Sequence, residues 1–360
     1  MANATDDDVT ANSIENAADI TRDVLLKPCA SCTAYSLENE SNPYEQYLRI
    51  GYYISVNSIC FMVTMRILKL TANALIAALF LAGCDKLSAF NQLQAGNYQP
   101  TFTDLAYGDA PRHKLDLYLP DDVSAPAPLI VWFYGGSWDA GNKAQYAFVA
   151  KRFTEMGYAV AVPDYRLVPD VHFPQFIEDC ARAVAFMKDF GEQNPNKIAA
   201  GPMILAGHSA GAYNAVQLVA DPDYLRAVEM NASDIAGIIG LSGPYDFYPY
   251  DVKATQNAFG DTAAVKSQPV EMDLTHMPPL LLITGTRDHT VYPHNSRNLA
   301  KLAPDTKLVE IPEAGHAGTL IALGFYLTTN NDVLEPVTSF LRVHLPTASD
   351  KPLVAQDKAS

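Results

Sequence analysis

Three side chains in this sequence could together break an acyl bond. Ser209 stands in Gly207-His208-Ser209-Ala210-Gly211, a serine between two glycines. Glycines at those positions let a turn tighten until the hydroxyl is thrust outward, with neighbouring segments too close for a Cβ. Asp288 ends Gly285-Thr286-Arg287-Asp288, and His316 ends Glu313-Ala314-Gly315-His316. A serine hydroxyl is unreactive alone at neutral pH. A histidine would take its proton, and a carboxylate would fix the imidazole tautomer and stabilise its charged form. Glu313 is a rival acid, but it precedes the histidine in the same segment. His289 and His294 are rival bases, but they share the segment of Asp288. His208 adjoins the serine and is expected to point away from it. His113, His172, His276 and His344 belong to no motif and read as structural or solvated.

Such residues need elements that bring them to one place. Leu129–Phe133 is a continuous apolar run, as expected of a strand covered on both faces. Tyr158–Val162, Met203–Ala206, Ile235–Leu241, Leu280–Ile283 and Lys307–Ile311 read as further strands. Leu115–Leu119 alternates apolar with polar residues and reads as a half-exposed strand. Helical spacing joins Tyr146, Val149, Phe153 and Met156, with Gly157 as the stop. It also joins Ile177, Cys180, Val184 and Met187, which makes Cys180 an inert core residue. A helix follows Ser209, and a last amphipathic helix covers about 333–345. This alternation predicts an α/β fold: a mostly parallel sheet with helices on both faces, and a ligand site beyond the carboxyl ends of the strands. Ser209, Asp288 and His316 each follow a strand, in the chain order of the α/β-hydrolase fold.

Leu129–Phe133 leads into Tyr134-Gly135-Gly136-Ser137-Trp138, where a glycine pair lets backbone N–H groups face a substrate oxygen. Ala210, the residue after the serine, would supply a second such donor. These stretches, with Asp164-Tyr165-Arg166-Leu167, Phe173-Pro174, Asp179 and Leu241-Ser242-Gly243-Pro244-Tyr245-Asp246, resemble the hormone-sensitive-lipase-like serine esterases. Within them they are similar to the His-Gly-Gly-x-Trp branch of acetyl-xylan and feruloyl esterases and kynurenine formamidases. The resemblance spans about residues 100–345. It implies Ser209, Asp288 and His316 as catalytic groups and Gly136, Ser137 and Ala210 as oxyanion donors. It implies a structural role for Arg166 and Asp179. Tyr134 departs from the pattern, because the family usually has histidine there and uses it to brace the oxyanion loop.

The chain has 360 residues, 40 acidic against 25 basic, and a net charge of −15. That balance argues against a nucleic-acid or anionic-membrane binder. An apolar content of 49% excludes a disordered or fibrous chain. Five scattered cysteines make no disulfide framework, and Cys29-Ala-Ser-Cys32 lacks the second pair or histidine of a zinc site. No metal cluster, phosphate loop or dinucleotide fingerprint is found, so no cofactor is expected.

Met65–Leu70 is a short basic start, Ala74–Leu81 an apolar run, and Leu81-Ala82-Gly83-Cys84 resembles a bacterial lipobox. Residues 65–84 therefore read as a lipoprotein signal ending at a lipidated Cys84, with residues 1–64 a mis-annotated or disordered extension. Residues 85–345 would be the catalytic domain and 346–360 a solvated tail. Membrane contact would come only through the Cys84 anchor, facing the periplasm, with Asp85 favouring the inner membrane.

Little chain is available for a lid, which predicts an open site and a small or absent cap. Trp138, Tyr245 and Phe247 are candidate pocket walls, with ordinary core packing as the other reading. The expected activity is a serine carboxylesterase acting on small-molecule short-chain or aryl esters. An arylformamidase and an inactive binding protein on the same fold are the alternatives.

Overall fold

The computed structural model describes residues 86–121, 125–325 and 329–350. The segment read as a signal, Cys84, the Cys29–Cys32 pair and the residues before them lie outside the described residues, as do those beyond Asp350.

Eight strands form one sheet in the order β1-β2-β4-β3-β5-β6-β7-β8. They are β1 (Phe102–Ala106), β2 (Lys114–Tyr118), β3 (Leu129–Phe133), β4 (Ala159–Pro163), β5 (Met203–His208), β6 (Ile235–Leu241), β7 (Leu280–Gly285) and β8 (Thr306–Ile311). β1 pairs antiparallel with β2, and β2 with β4; every later pairing is parallel. This is the α/β-hydrolase fold. β3, β4 and β5 are buried along their whole length, because neighbours pair on both edges and helices cover both faces.

Seven longer helices flank the sheet: α1 (Lys86–Ala95), α2 (Ala147–Thr154), α3 (Gln175–Gln193), α4 (Ala210–Ala220), α5 (Lys253–Phe259), α6 (His294–Leu302) and α7 (Asn331–His344). α4 is buried at every position and packs on β3, β5 and β6, which explains its run of alanine, valine and leucine. α7 lies on β6, β7 and β8, where the Phe340 ring reaches Gly237. Cys180 is fully buried on α3, as its place on the apolar face predicts.

Three expectations need correction. β2 is not half-exposed: Leu115 to Tyr118 are all buried, since β2 lies between β1 and β4. Asp116, which looked solvent-facing, turns inward to Lys143 Nζ at 2.7 Å. β1 itself escaped notice, because Phe-Thr-Asp-Leu-Ala has neither an apolar run nor strict alternation. Residues 347–350 are not the solvated tail expected from 346 onward. Thr347 is buried, its hydroxyl donates to Asp350 at 2.7 Å, and Arg342 pairs with Asp350 at 3.2 Å.

Candidate active site

The carboxyl ends of β3, β5, β6, β7 and β8 face one cavity edge, and each is followed by a loop that departs from regular geometry. Of the seven non-glycine residues with positive φ among the described residues, five sit here: Ser137, Trp138, Ser209, Ser242 and Glu313. Each such residue costs about 1–3 kcal/mol, and such strain gathers where chemistry needs an exposed group.

Ser209 has φ 56° and ψ −126° at the turn from β5 into α4. The turn closes because its glycines have no side chains. A Cβ on Gly207 would lie 2.5 Å from the Gly211 backbone, and one on Gly211 would lie 2.1 Å from the Phe133 carbonyl oxygen. The result holds Ser209 Oγ 2.9 Å from His316 Nε2. His316 Nδ1 stands 2.8 Å from Asp288 Oδ2. Burial raises the Asp288 pKa, but the His316 ring and the N–H groups of Val291 and Thr290 more than offset that, and the carboxyl sits below its usual value. An ionised Asp288 can only accept, so Nδ1 of His316 carries the proton and Nε2 is left to receive one from Ser209.

Ser137 and Ala210 line the same cavity as Ser209, and Gly136 precedes Ser137 in the chain. Among the described residues, no hydrogen bond takes up their backbone N–H groups. Ala210 is the first residue of α4, so the helix dipole adds to its donor strength. The loop carrying Gly136 is pinned from behind by Tyr134. The Tyr134 hydroxyl donates to Asp164 Oδ1 at 2.9 Å and accepts from Arg112 Nη2 at 2.5 Å. Arg112 also donates to the Gly141 carbonyl at 2.9 Å, and the Lys143 N–H reaches Asp164 at 2.8 Å. The Tyr134 ring stacks on Tyr165, with centroids 4.7 Å apart, and the Tyr165 hydroxyl donates to the Tyr134 carbonyl at 2.8 Å. Burial pushes the Asp164 pKa up, and Arg112 only partly counters it.

A cavity of about 470 Å³ opens over Ser209. Trp138 and Phe247 line it, stacked with centroids 6.0 Å apart, and Trp138 Nε1 donates to Asn214 Oδ1 at 2.9 Å. Tyr245, expected beside them, is not a wall. It is fully buried, with its hydroxyl turned between Gly240 and Gly243. A second cavity of about 460 Å³ between Tyr98, Lys151 and Thr347 holds no nucleophile–histidine pair, so chemistry rather than size marks the site.

Of the rivals, Glu313 is spent on an exposed ion pair with Arg287 at 2.6 Å. His289 and His294 line the cavity without a hydrogen bond to Ser209, and His294 Nε2 faces the Asp246 carbonyl oxygen at 3.1 Å. Arg166 and Asp179 form a two-pronged pair at 2.8 and 2.7 Å away from the cavity lining. His208 makes no hydrogen bond to Ser209, as expected, but its Nε2 lies 3.0 Å from the His316 carbonyl oxygen, a partner the sequence did not suggest. Sequence reasoning also missed Asn214, Tyr248 and Tyr292. Asn214 had a signal, as a polar residue in the apolar first turns of α4. The rim tyrosines had none, because exposure cannot be read from a loop sequence.

Comparison with known proteins adds to this geometry. The BD-FAE family model matches residues 115–302, more than half of the chain. An isoprenylcysteine alpha-carbonyl methylesterase of Arabidopsis thaliana is 26% identical over 213 residues, covering 52% of this chain and 48% of its own. A kynurenine formamidase of Danio rerio is 31% identical over 156 residues, covering 43% of this chain and 50% of its own. The chain thus spans about half the length of the curated relatives it matches. Among solved structures, esterase B from Lactobacillus rhamnosis aligns with a TM-score of 0.59 at 18% identity, covering 77% of this chain and 95% of its own, a likeness of fold.

Proposed function

The chain belongs to the BD-FAE family, and from that premise we propose that it is a serine carboxylesterase for short acyl groups. The observation that carries the reading is the hydrogen-bonded line from Ser209 through His316 to Asp288, opening into a cavity of about 470 Å³. A substrate carbonyl placed over Ser209 directs its oxygen to the N–H groups of Ala210 and the Gly136–Ser137 loop. Ser209 Oγ attacks the carbonyl carbon while His316 Nε2 takes the hydroxyl proton. Charge gathers on the carbonyl oxygen, where preset donors stabilise it without having to reorganise. Asp288 stabilises the imidazolium so formed. His316 then gives the proton to the leaving alcohol, and the acyl group remains on Ser209. Water takes the alcohol's place, loses a proton to His316 and attacks the acyl carbon. Collapse releases the carboxylic acid and restores Ser209.

The cavity size supports an acetyl- or butyryl-sized acyl group with a small alcohol better than a long chain. Aryl alcohols and acetylated sugars are the candidate partners of that acyl group. A formamidase reading uses the same groups on an N-formyl carbonyl, and the likeness to the zebrafish enzyme favours keeping it.

The test is hydrolysis of p-nitrophenyl acetate, butyrate and decanoate by the full chain and by Ser209→Ala. Turnover that depends on Ser209 and falls with chain length is expected. Equal rates in the two proteins would remove the serine mechanism. Serine-dependent turnover of N-formylkynurenine, with none of any ester, would replace the esterase by the formamidase.

A further inference from the structure

His208 is the buried titratable group at this site to which the mechanism above gives no part. Its ring lies under that of His316, with centroids 4.8 Å apart and planes at 46°. Its Nε2 sits 3.0 Å from the main-chain oxygen of His316. A carbonyl only accepts, so the proton is on Nε2. Gly135 closes the other side, where a Cβ would come within 3.3 Å of His208 Nδ1. The ring therefore has one orientation and one donor, aimed at one acceptor.

We propose that His208 is a positioning residue, whose Nε2–H tethers the main chain of His316 and so sets where the base stands over Ser209. The proposal rests on the reading of Ser209, His316 and Asp288 given above. His316 lies between β8 and a four-residue helical turn, Gly318–Ile321, rather than inside a regular element. No ladder of backbone hydrogen bonds fixes it. Its carbonyl is instead held by side chains: His208 directly, and Thr319 Oγ1 more loosely at 3.4 Å. Thr319 is itself joined to Ser242 Oγ at 2.9 Å. The end of β5 thus reaches this carbonyl oxygen directly, and the loop after β6 reaches it through Thr319. The nucleophile's neighbour in sequence fixes the base, so Ser209 and His316 keep register with each other if the sheet edge breathes.

Two other roles fail on geometry. His208 cannot serve as a second base, because its outward nitrogen faces a carbonyl and not Ser209 or the cavity. It cannot be a standing charge beside His316 either. Burial, reinforced by the proximity of His316, pushes its pKa down to about 3, so the ring is neutral wherever the enzyme would work. A neutral ring adds no repulsion when His316 becomes cationic during the reaction.

The experiment compares His208→Gln with His208→Asn in the full chain. The glutamine amide reaches the place of Nε2, and the asparagine amide stops at that of Nδ1. With p-nitrophenyl acetate, His208→Asn should lose about 10- to 100-fold in kcat with KM within about twofold, the loss expected when a reacting group shifts by a fraction of an ångström. His208→Gln should recover to within about threefold of the parent. Both should melt at the same temperature. Equal kcat in the two variants, or parental kcat in His208→Asn, would overturn the tether. Should neither variant fold, ring-nitrogen NMR of the parent protein decides: a neutral Nε2–H tautomer of His208 supports the proposal, and an Nδ1–H tautomer overturns it. Ser209→Ala runs in the same assay. Serine-dependent turnover with no Gln–Asn difference would sink the tether alone, and turnover indifferent to Ser209 would take the triad reading and the tether together.

Discussion

The two walls of the cavity differ in what their side chains do. The loop after β3, which presents Gly136 and Ser137, is held from behind by Tyr134, Asp164, Arg112 and Lys143, four residues joined by directional hydrogen bonds. The segment after β6, which presents Phe247 and Tyr248, has its main chain anchored by Asn295 and Gln268, whose side-chain oxygens accept from Tyr245, Asp246 and Phe247 at 2.7–2.8 Å, and its side chains packed as rings. Phe247 stacks on Trp138 and meets Tyr213 and Phe259 edge-on at 5.6 and 5.1 Å. Hydrogen bonds fix atoms to fractions of an ångström, whereas ring contacts tolerate sliding. The wall proposed to meet a developing charge is braced by side-chain hydrogen bonds, and the opposite wall offers ring faces beyond an anchored main chain. At its outer end the second wall is open to solvent, with Tyr248 and Tyr292 54% and 55% exposed.

Substitutions can break this contrast or sharpen it. The largest effect belongs to the hydrogen-bonded line between the two walls. Asp288→Asn leaves the shape but removes the negative charge that sets the His316 tautomer, and kcat should fall by about 10⁴-fold. A near-parental kcat would move the acid role elsewhere, with Glu313 tested next. Tyr134→Phe removes one hydroxyl from the pinned loop and leaves its ring stacking intact. We expect kcat to fall about 10-fold with KM little changed. Affinity for a trifluoromethyl ketone, which imitates the tetrahedral oxyanion, should fall by a similar factor, less than the 10²–10³ lost with a whole oxyanion donor. Unaltered inhibitor binding would mean that the loop holds its shape without the hydroxyl. The smallest effect belongs to the exposed rim. Tyr292→Ala should raise KM for aryl esters by about two- to fivefold, with kcat for p-nitrophenyl acetate nearly unchanged. A large loss of kcat there would show that the aromatic wall also places the carbonyl, and the contrast would collapse.

What the sequence disclosed follows the same division. Buried parallel strands are apolar along their whole length, so β3, β6 and β7 could be placed within a residue or two. The elbow was legible because its glycines are forced by backbone approach, a local cause that leaves a local pattern. Asp288 and His316 were legible from their places after strands. The failures share another cause. Asp116 faces inward because Lys143, distant in sequence, meets it there. Tyr245 is a core residue because Gly240 and Gly243 leave room for its ring. His208 turns toward His316 across 108 positions of chain. In each case the partner that decides the orientation is supplied by folding, and no window along the chain contains both. Tyr134 is the intermediate case. Its departure from the family pattern could be seen, but its alliance with Arg112 and Asp164 could not.

The margins of the sheet bear on how copies of this chain behave toward one another. Along β1 the pairing advances from Phe102 opposite Leu117 to Leu105 opposite Leu115, three residues against two, so the strand bulges midway. Asp104 stands in that bulge with φ 54°, and its carboxylate holds Lys143 at 2.8 Å. At the other margin, β8 exposes Lys307 and Glu310, and Glu310 is clasped by Arg297 at 2.6 Å. A foreign strand adding to either side would meet a kinked backbone or a row of hydrated charges where it needs a straight ladder. A sheet this apolar in its middle thus meets an added strand with a kink at one border and with charge at the other.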